Sequence, residues 1–418
     1  MPSREAASTV DRTRAGREGD ALDYELDARL EVRLTARGHG VPNDGGPLRG
    51  RRTAAVRYNR PMAPRPTATA RTPRERTRPT RSAGLTVAVT GPTGEIGQAV
   101  VAALERSREV GHVLGMARRP FDPGMHGWKK VSYRRGDVLD REAVAGLVRD
   151  ADVVVHLAFV IVGGPRESWA VNLAGSRNVF EAAVTAGAKR LVYASSVAAY
   201  GFHRENPQPL TEEVPARGSA SMDYSTQKAR VEALLRKTLA GSATTAYVFR
   251  PCIVGGRDAP LLIDSLPYTQ ISERLPGPVL RLLDGVPILK PVLPDPGVPF
   301  QLVHHDDVAS AMRGGVLGRG TPGVYNLAGP GQLTVAELAR ELGWYSIPVP
   351  ALAVDAVAET IGRLGFLPAQ AQWVSALREP VIMDTAKARR ELRWRPKYDA
   401  LQTLRETITA TRFGRLIR

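Results

Sequence analysis

Short apolar runs alternate with longer stretches of mixed polar and apolar residues along most of the chain from Leu85 onward. Runs of this length are typical of buried parallel strands, and the stretches between them carry apolar residues at helical spacing. Strands are predicted over residues 85–89, 113–117, 131–135, 151–157, 190–195 and 245–250. Helices are predicted over residues 96–106, 140–149, 169–186 and 221–239. This alternation predicts βαβ units with right-handed crossovers, and therefore an α/β fold on a doubly wound parallel sheet.

The alternation becomes looser after Cys252. Residues 255–300 are rich in Pro, Gly and Leu, which favours loops and short helices rather than sheet. A last strand and three helices are predicted over residues 324–327, 334–343, 351–363 and 384–392. We expect a sheet domain and a smaller lobe that closes over the carboxyl edge of the sheet, where open α/β sheets bind ligands. The sheet domain is assigned residues 85–255, completed by about 300–328, and the smaller lobe residues 256–299 and 329–418.

Residues 1–84 have a different composition. They are rich in Arg, Pro, Gly and Thr and poor in large apolar groups, which predicts a disordered arm with at most a short helix near residues 22–34. The arm holds 18 arginines, no lysines and 10 acidic residues, so it carries half of the formal net charge of +16. Three interpretations stay open: a basic arm that contacts nucleic acid or anionic surfaces, a solvated tail, or upstream sequence outside the natural product. We assign the arm no function.

Composition narrows the function class. The chain is 43% hydrophobic and 24% charged, as in soluble globular proteins. Its single cysteine excludes an internal disulfide framework and fits a reducing compartment. It contains no apolar run of membrane-spanning length and no signal peptide, which predicts a cytoplasmic protein. With aromatic residues at 6%, no specific nucleic-acid partner is expected.

A glycine-rich turn follows the first predicted strand, with the sequence TGPTGEIG over residues 90–97. Gly91 permits the tight turn, Gly94 lets the backbone approach a pyrophosphate, and Gly97 allows the helix to pack closely on the strand. The helix then begins with Glu95 and Ile96, where backbone N–H groups and the positive end of the helix dipole face the phosphates. The turn therefore predicts a dinucleotide site in a Rossmann fold.

Two positions bear on the choice between NAD and NADP. Arg118 and Arg119 follow directly after the second predicted strand, and the nearest acidic residue, Asp122, comes several residues late. An acid at this strand end favours the ribose of NAD, whereas an Arg favours the 2′-phosphate of NADP. We therefore favour NADP over NAD, with a pair of solvated arginines as the alternative. Asp137, followed by Val138 after the third strand, is placed either near the adenine amino group or as a turn cap.

Three residues carry candidate chemistry. Tyr224 and Lys228 are four residues apart on a predicted helix and so share one face. An ammonium beside a phenol favours the phenolate and lowers the phenol pKa, which makes Tyr224 a candidate acid and base. Ser196 ends the fifth predicted strand, where its hydroxyl is placed to hydrogen-bond a reacting oxygen.

Together these residues resemble the extended short-chain dehydrogenase/reductase family, and within it the NAD-dependent epimerase/dehydratase branch with its UDP-glucose 4-epimerase-like members. The likeness covers about residues 85–415 and also rests on the short motifs HLA at 156–158, VNLAGS at 171–176, RP at 250–251, VHHDDVA at 303–309 and YNLAG at 325–329. It implies hydride transfer between a nicotinamide and a carbinol carbon. Ser196 would polarise the substrate oxygen, Tyr224 would move its proton, and Lys228 would hold the nicotinamide ribose. It also implies cofactor contacts from Leu157, Ala158, Asn172 and Pro251.

Departures from the family pattern leave the substrate open. Val197 and Ala198 stand where sugar 4,6-dehydratases carry an Asp-Glu pair, so dehydration is not expected. Phe300 stands in the run where sugar-nucleotide 4-epimerases often carry an Arg that grips the diphosphate, and Arg257, Arg281 or Arg319 are the candidates to replace it.

The resemblance implies an epimerase or oxidoreductase that acts on a hydroxyl or keto carbon of a nucleotide sugar. The alternatives are an NADPH-dependent reductase of a non-sugar carbonyl compound and a non-catalytic NADP-sensing regulator. A homodimer is suggested by analogy. No metal is expected, since His304 and His305 precede two aspartates in a pattern typical of a helix N-cap.

Overall fold

The computed structural model describes residues 84–161, 165–259, 261–264, 266, 290–350 and 379–411. Its strands are β1 (Leu85–Thr90), β2 (Val110–Ala117), β3 (Val131–Arg135), β4 (Val153–His156), β5 (Arg190–Ala194), β6 (Thr245–Pro251), β7 (Ile253–Gly255), β8 (Val292–Asp295), β9 (Leu302–His304), β10 (Gly323–Leu327) and β11 (Tyr345–Pro348). Seven of them form a parallel sheet in the order β10-β6-β5-β4-β1-β2-β3. The order reverses between β1 and β4, the point where doubly wound sheets bind ligands.

Helices cover both faces of this sheet. They are α1 (Glu95–Glu105), α2 (Arg141–Val148), α3 (Pro165–Trp169), α4 (Ser176–Thr185), α5 (Asp223–Leu239), α6 (Leu261–Asp264), α7 (His305–Val316), α8 (Val335–Glu341), α9 (Ala386–Glu391) and α10 (Ala400–Ala410), with a π-helical turn, Ala170–Gly175, between α3 and α4. Among the described residues, no helix combines the length and the apolar character needed to cross a bilayer.

The core is split into two layers by the alternation of side chains along β1. Val87 and Val89 belong to a hydrophobic cluster that includes residues of α1 and α7, which pack against each other. Ala88, between them, belongs to a second cluster with residues of α2, α4 and α5. Successive strand residues point to opposite faces, so a short run of small apolar residues is buried on both sides. The predicted Rossmann-type α/β fold is confirmed.

Several elements differ from the sequence-based prediction. Residues 255–300 were expected to lack sheet, but β8 lies there and pairs in parallel with β11, so that prediction was wrong. A four-residue strand that contains a proline carries too little alternation to be distinguished from a loop. The helices predicted over residues 22–34 and 351–363, like the arm at residues 1–83, lie outside the described residues. The division into two lobes stays a prediction.

Helix α10 was not predicted, because threonine has a low helix propensity and the segment contains several threonines. The structure compensates for this with local hydrogen bonds. Asp399 and Gln402 form a capping box at its start. The hydroxyls of Thr403 and Thr407 donate to the carbonyl oxygens four residues earlier, both at 2.7 Å. Both side chains are buried, so the helix presents an interior face despite its polar composition.

Asp307 binds the segment before α10 to helix α7. Its buried carboxylate accepts hydrogen bonds from the backbone N–H groups of Lys397, at 2.9 Å, and Tyr398, at 3.1 Å. Its backbone carbonyl accepts a further bond from the indole of Trp394 at 2.9 Å. Asp307 therefore accepts three hydrogen bonds from the C-terminal segment.

Replacing Asp307 by Ala is expected to destabilise the protein, because two backbone N–H groups would lose their buried acceptor. Such losses cost about 1–3 kcal/mol each, and urea denaturation should show the free energy of unfolding falling by about 2–4 kcal/mol. Asp306→Ala is the matched control, since the Asp306 side chain is 47% exposed and its loss should cost less than about 1 kcal/mol. Equal effects of the two substitutions would contradict this account.

Candidate active site

The glycine turn between β1 and α1 is built on close backbone contacts. Gly91 has a φ of 74°, and a Cβ there would lie 2.7 Å from the backbone nitrogen of Ala158. A Cβ on Gly97 would collide with the carbonyl oxygen of Gly91. A Cβ on Gly94 would meet only one atom, that same oxygen, in ordinary contact at 3.6 Å. The space beyond Gly94 is therefore open to a ligand at the start of α1, where no side chain caps the helix.

The end of β4 lies beside this turn. The backbone N–H of Leu157 donates to the carbonyl of Thr90 at 3.1 Å. His156 is buried, and its ring nitrogens hydrogen-bond the hydroxyls of Thr90 at 2.7 Å and Ser176 at 2.9 Å. Burial lowers the pKa of His156 to about 3, so its imidazole is neutral. His156 thus joins β1, β4 and α4, and it fixes the position of Leu157 and Ala158 beside the glycine turn.

Ser196 and Tyr224 meet at the carboxyl end of β5. Ser196 begins a 3-10 turn, Val197–Tyr200, and its hydroxyl accepts the N–H of Ala198 at 3.2 Å. Ser225 donates its hydroxyl to the carbonyl of Ala198 at 2.6 Å, which ties the first turn of α5 to the 3-10 turn. The Ser196 side chain is hydrogen-bonded to the Tyr224 phenol.

Lys228 lies one turn further along α5 and is only 3% exposed. Its ammonium donates to the carbonyl of Ala194 at 2.8 Å and lies 3.5 Å from the hydroxyl of Tyr193. It is also 3.6 Å from the centroid of the Phe159 ring and 5.7 Å from that of Tyr224. Burial lowers the pKa of Lys228 to about 7, so both of its charge states are populated near neutral pH.

The expected lowering of the phenol pKa is not found. Burial raises the pKa of Tyr224 to about 12, and the hydrogen bond with Ser196 opposes this only in part. The Lys228 ammonium is directed at Ala194 rather than at the phenol oxygen. Desolvation of the phenol therefore outweighs the nearby cation, and Tyr224 is a neutral proton donor at rest.

A buried ion pair that sequence reasoning missed supports this end of the sheet. Glu232 on α5 accepts two hydrogen bonds from Arg250 on β6, at 2.9 and 2.5 Å, and a third from the hydroxyl of Ser195 at 2.6 Å. The Arg250 guanidinium lies 4.2 Å from the centroid of the Tyr200 ring. The available signal was the spacing of Glu232 four residues after Lys228, on the same helix face.

Asn172, expected to contact the cofactor, is used inside the protein. Its amide nitrogen donates to the carbonyl of Val160 at 2.9 Å and to the side chain of Gln227 at 2.6 Å. Its amide oxygen accepts the N–H of Val160 at 2.8 Å. Because Asn172 is fully buried and both amide hydrogens are used, it fixes the loop after β4 against α5. Its contact with a cofactor stays a prediction.

Arginines surround the end of β2. Arg118 is about half exposed and pairs with Glu167 on α3 at 3.0 Å. Arg119, the second of the two arginines after the predicted strand, donates to the carbonyl of Thr93 in the glycine turn at 3.0 Å. Arg135 donates to the carbonyl of Arg118 at 2.8 Å. This corner of the site is therefore basic and lies against the turn.

The remaining predicted cofactor residues lie along the same edge. The carboxylate of Asp137 accepts the N–H of Leu139 at 3.0 Å, which is a turn-capping contact. Val138 is buried against Gly175, and a Cβ on Gly175 would lie 2.5 Å from a methyl carbon of Val138. Pro251 ends β6 and pairs with Leu327 of the edge strand β10.

His304 caps α7 as expected, since its Nδ1 accepts the N–H of Asp306 at 3.2 Å. Among the described residues, His304, His305 and Asp306 form a group whose ligand-type atoms lie within 4.8 Å of one another. The two imidazoles lie 4.3 Å apart with an interplanar angle of 30°. Both ring nitrogens of His304 already have partners, Nδ1 in the cap and Nε2 with the carboxylate of Glu406 at 3.2 Å. This arrangement favours the capping role.

Comparisons with known proteins agree with the geometry. A family model described as the NAD dependent epimerase/dehydratase family matches residues 87–328. Human 3 beta-hydroxysteroid dehydrogenase type 7 is 30% identical over 220 residues, which cover 47% of this chain and 56% of that protein.

Two solved structures share the fold. UDP-glucose 4-epimerase from Thermotoga maritima with UDP-glucose has a TM-score of 0.57 at 20% identity, and covers 80% of this chain and 100% of its own. MoeE5 in complex with UDP-glucuronic acid and NAD has a TM-score of 0.58 at 21% identity, and covers 79% of this chain and 99% of its own. From the family match and the site, we conclude that this chain belongs to the NAD-dependent epimerase/dehydratase family and is an enzyme of the short-chain dehydrogenase/reductase type.

Proposed function

We propose that the protein transfers hydride between NAD(P) and a carbon that carries a hydroxyl or keto group, with Tyr224 as proton donor and acceptor. The observation that supports this proposal most directly is the hydrogen bond between Ser196 and the Tyr224 phenol at the carboxyl edge of the sheet. Lys228 lies one helical turn away on the same face of α5. A carbonyl or carbinol oxygen bound between the two hydroxyls would be polarised by Ser196 and would exchange its proton with Tyr224.

The protein fits a dinucleotide at the glycine turn. Gly94 leaves open the space that a Cβ would fill, and the uncapped N-terminus of α1 faces it. Backbone groups at Gly94, Glu95 and Ile96 would hold the pyrophosphate there. Leu157 and Ala158 line the neighbouring strand end. When bound, the nicotinamide ring supplies or accepts the hydride.

The protonation state of Tyr224 is the one that reduction of a carbonyl requires. With a pKa of about 12, Tyr224 carries its proton at neutral pH and can donate it to a carbonyl oxygen that is being reduced. In the oxidative direction the phenol must first lose this proton, which a charged Lys228 assists. With NAD(P) bound, Lys228 would hold the nicotinamide ribose.

A nucleotide sugar is the first substrate class that we propose, for epimerisation or net oxidation and reduction. The T. maritima epimerase and MoeE5, which share the fold, are bound to UDP-glucose and UDP-glucuronic acid. Val197 and Ala198 offer no acid and base for dehydration, since neither side chain can take or give a proton.

A non-sugar carbonyl compound is the second candidate, and two observations favour it. The ring of Phe159 lies against Tyr224, so the wall beside the phenol is apolar. The similarity to human 3 beta-hydroxysteroid dehydrogenase type 7 points to the same chemistry on an apolar ring system.

Tyr224→Phe is expected to lower kcat by about 10²–10⁴-fold, because it removes the exchangeable proton while it keeps the ring. Dinucleotide affinity, measured by calorimetry, should stay close to that of the unchanged protein. The activities of the unchanged protein and of the variant are measured on a panel of UDP-sugars and ketones. In the unchanged protein, product without net cofactor consumption indicates an epimerase, and oxidation of NAD(P)H by a ketone indicates a reductase. Full activity of the variant would exclude the proposed chemistry.

Gly94→Ala is expected to leave unfolding unchanged and to weaken dinucleotide binding by about tenfold or more, since its Cβ fills the phosphate space. Gly97→Ala is the matched comparison, and it should lower the unfolding midpoint because its Cβ collides with backbone. Thermal unfolding and calorimetry with NAD(P) separate the two effects. If Gly94→Ala bound dinucleotide normally, the phosphates would have to lie elsewhere.

Arg118→Ala is expected to weaken NADP by about 10–100-fold, the worth of a charge-assisted hydrogen bond, and NAD much less. Glu167→Gln should act in the opposite direction, because it frees Arg118 from its exposed ion pair. Dissociation constants for both cofactors test this. Equal weakening of NAD and NADP by Arg118→Ala would remove the preference for NADP.

A further inference from the structure

Phe159 touches both members of the Tyr224–Lys228 pair. The face of its ring lies over the Lys228 ammonium, with 3.6 Å between the nitrogen and the ring centroid. The Phe159 and Tyr224 rings are nearly perpendicular, at 86°, with centroids 5.6 Å apart. Perpendicular rings at this separation attract each other, and a ring face attracts a cation. One side chain outside the motifs of the sequence therefore contacts both functional groups.

The backbone on either side of Phe159 is held in place. Ala158, before it, packs against the glycine turn at Gly91. Val160, after it, is bound through both its N–H and its carbonyl by the buried side chain of Asn172. These contacts fix the direction in which the Phe159 side chain leaves the loop. The Phe159 ring therefore contacts Lys228 from a loop whose backbone is held on both sides by hydrogen bonds and packing.

Besides Phe159, the ammonium contacts two neighbouring residues of β5. The carbonyl of Ala194 accepts a hydrogen bond from it at 2.8 Å, the hydroxyl of Tyr193 accepts a longer one at 3.5 Å, and the centroid of the Tyr193 ring lies 5.1 Å away, further than that of Phe159. Glu232, on the same helix, favours the charged form, but its carboxylate is already paired with Arg250 on β6. The remaining titratable neighbours, His156 on β4, Tyr193 on β5 and Tyr224 on α5, are neutral near pH 7. Against the desolvation of Lys228, the ring of Phe159 is thus a substantial favourable contact.

We propose that Phe159 is a positioning residue that keeps the Lys228 ammonium charged beside the Ala194 carbonyl, and that it orients the Tyr224 ring by packing against it nearly at a right angle. The consequence for turnover rests on the proposed function. The charge of Lys228 does not, because it can be measured in protein that holds neither cofactor nor substrate. A failure of the proposed role of Phe159 is therefore distinguishable from a failure of the proposed function.

The test is an NMR titration of nucleotide-free protein labelled with ¹³C at the lysine ε-carbons, with the Lys228 signal assigned by its loss in Lys228→Met. Phe159→Leu keeps an apolar side chain but removes the ring face. Because the charged form loses a stabilising contact, the pKa of Lys228 should fall by about half a unit to one unit. Phe159→Tyr keeps the ring face and should retain the pKa of the unchanged protein.

Phe159→Met serves as a second variant without a ring, in case the leucine is poorly accommodated, and thermal unfolding checks that each variant is folded. An unchanged or raised Lys228 pKa in both ringless variants would overturn the proposal. A second readout is the pH dependence of NAD(P) affinity. As the pH rises and Lys228 loses its charge, the affinity should begin to fall at a lower pH in Phe159→Leu than in Phe159→Tyr. A shifted Lys228 pKa in a protein that binds no NAD(P) would support the role of Phe159 and reject the proposed function.

Discussion

The buried ion pair between Glu232 and Arg250 is the interaction on which the candidate site depends. It joins α5 to β6 and also holds the hydroxyl of Ser195, the neighbour of Ser196. Breaking a buried pair by removal of one partner leaves an uncompensated charge, which costs several kcal/mol (about 3–5). The same carboxylate favours the charged form of Lys228 one turn earlier. Glu232 therefore both joins α5 to β6 and favours the charge of Lys228.

The parts of the fold that could be predicted from sequence are those with local causes. The β1–turn–α1 unit has its three glycines, its apolar strand and its helix within a few residues of one another, and the structure reproduces it. The meeting of Ser196 with Tyr224 follows from topology alone, because the carboxyl ends of parallel strands lie at one edge and α5 leads into β6. Neither inference needed a contact between distant side chains.

The parts that were missed depend on such contacts. The pKa of Tyr224 is raised because the folded chain desolvates its phenol, and no spacing between Tyr224 and Lys228 encodes that burial. The strand β8 exists only through its pairing with β11, far along the chain. Asn172 was predicted to contact the cofactor, yet its hydrogen-bonding groups face Val160 and Gln227, which sequence position does not reveal.

The π-helical turn at Ala170–Gly175 has a consequence for how this family member tolerates change. A π turn holds one residue more than the α-helical turn it replaces, and successive α-helical residues are rotated by about 100°. Deleting a single residue there would restore continuous α-helical winding and rotate Asn172 off its present partners. Insertions and deletions in this short segment would thus rotate α3 relative to α4. The loop that carries Phe159 would then lose its hydrogen bonds to Asn172, although no residue of the loop had been substituted.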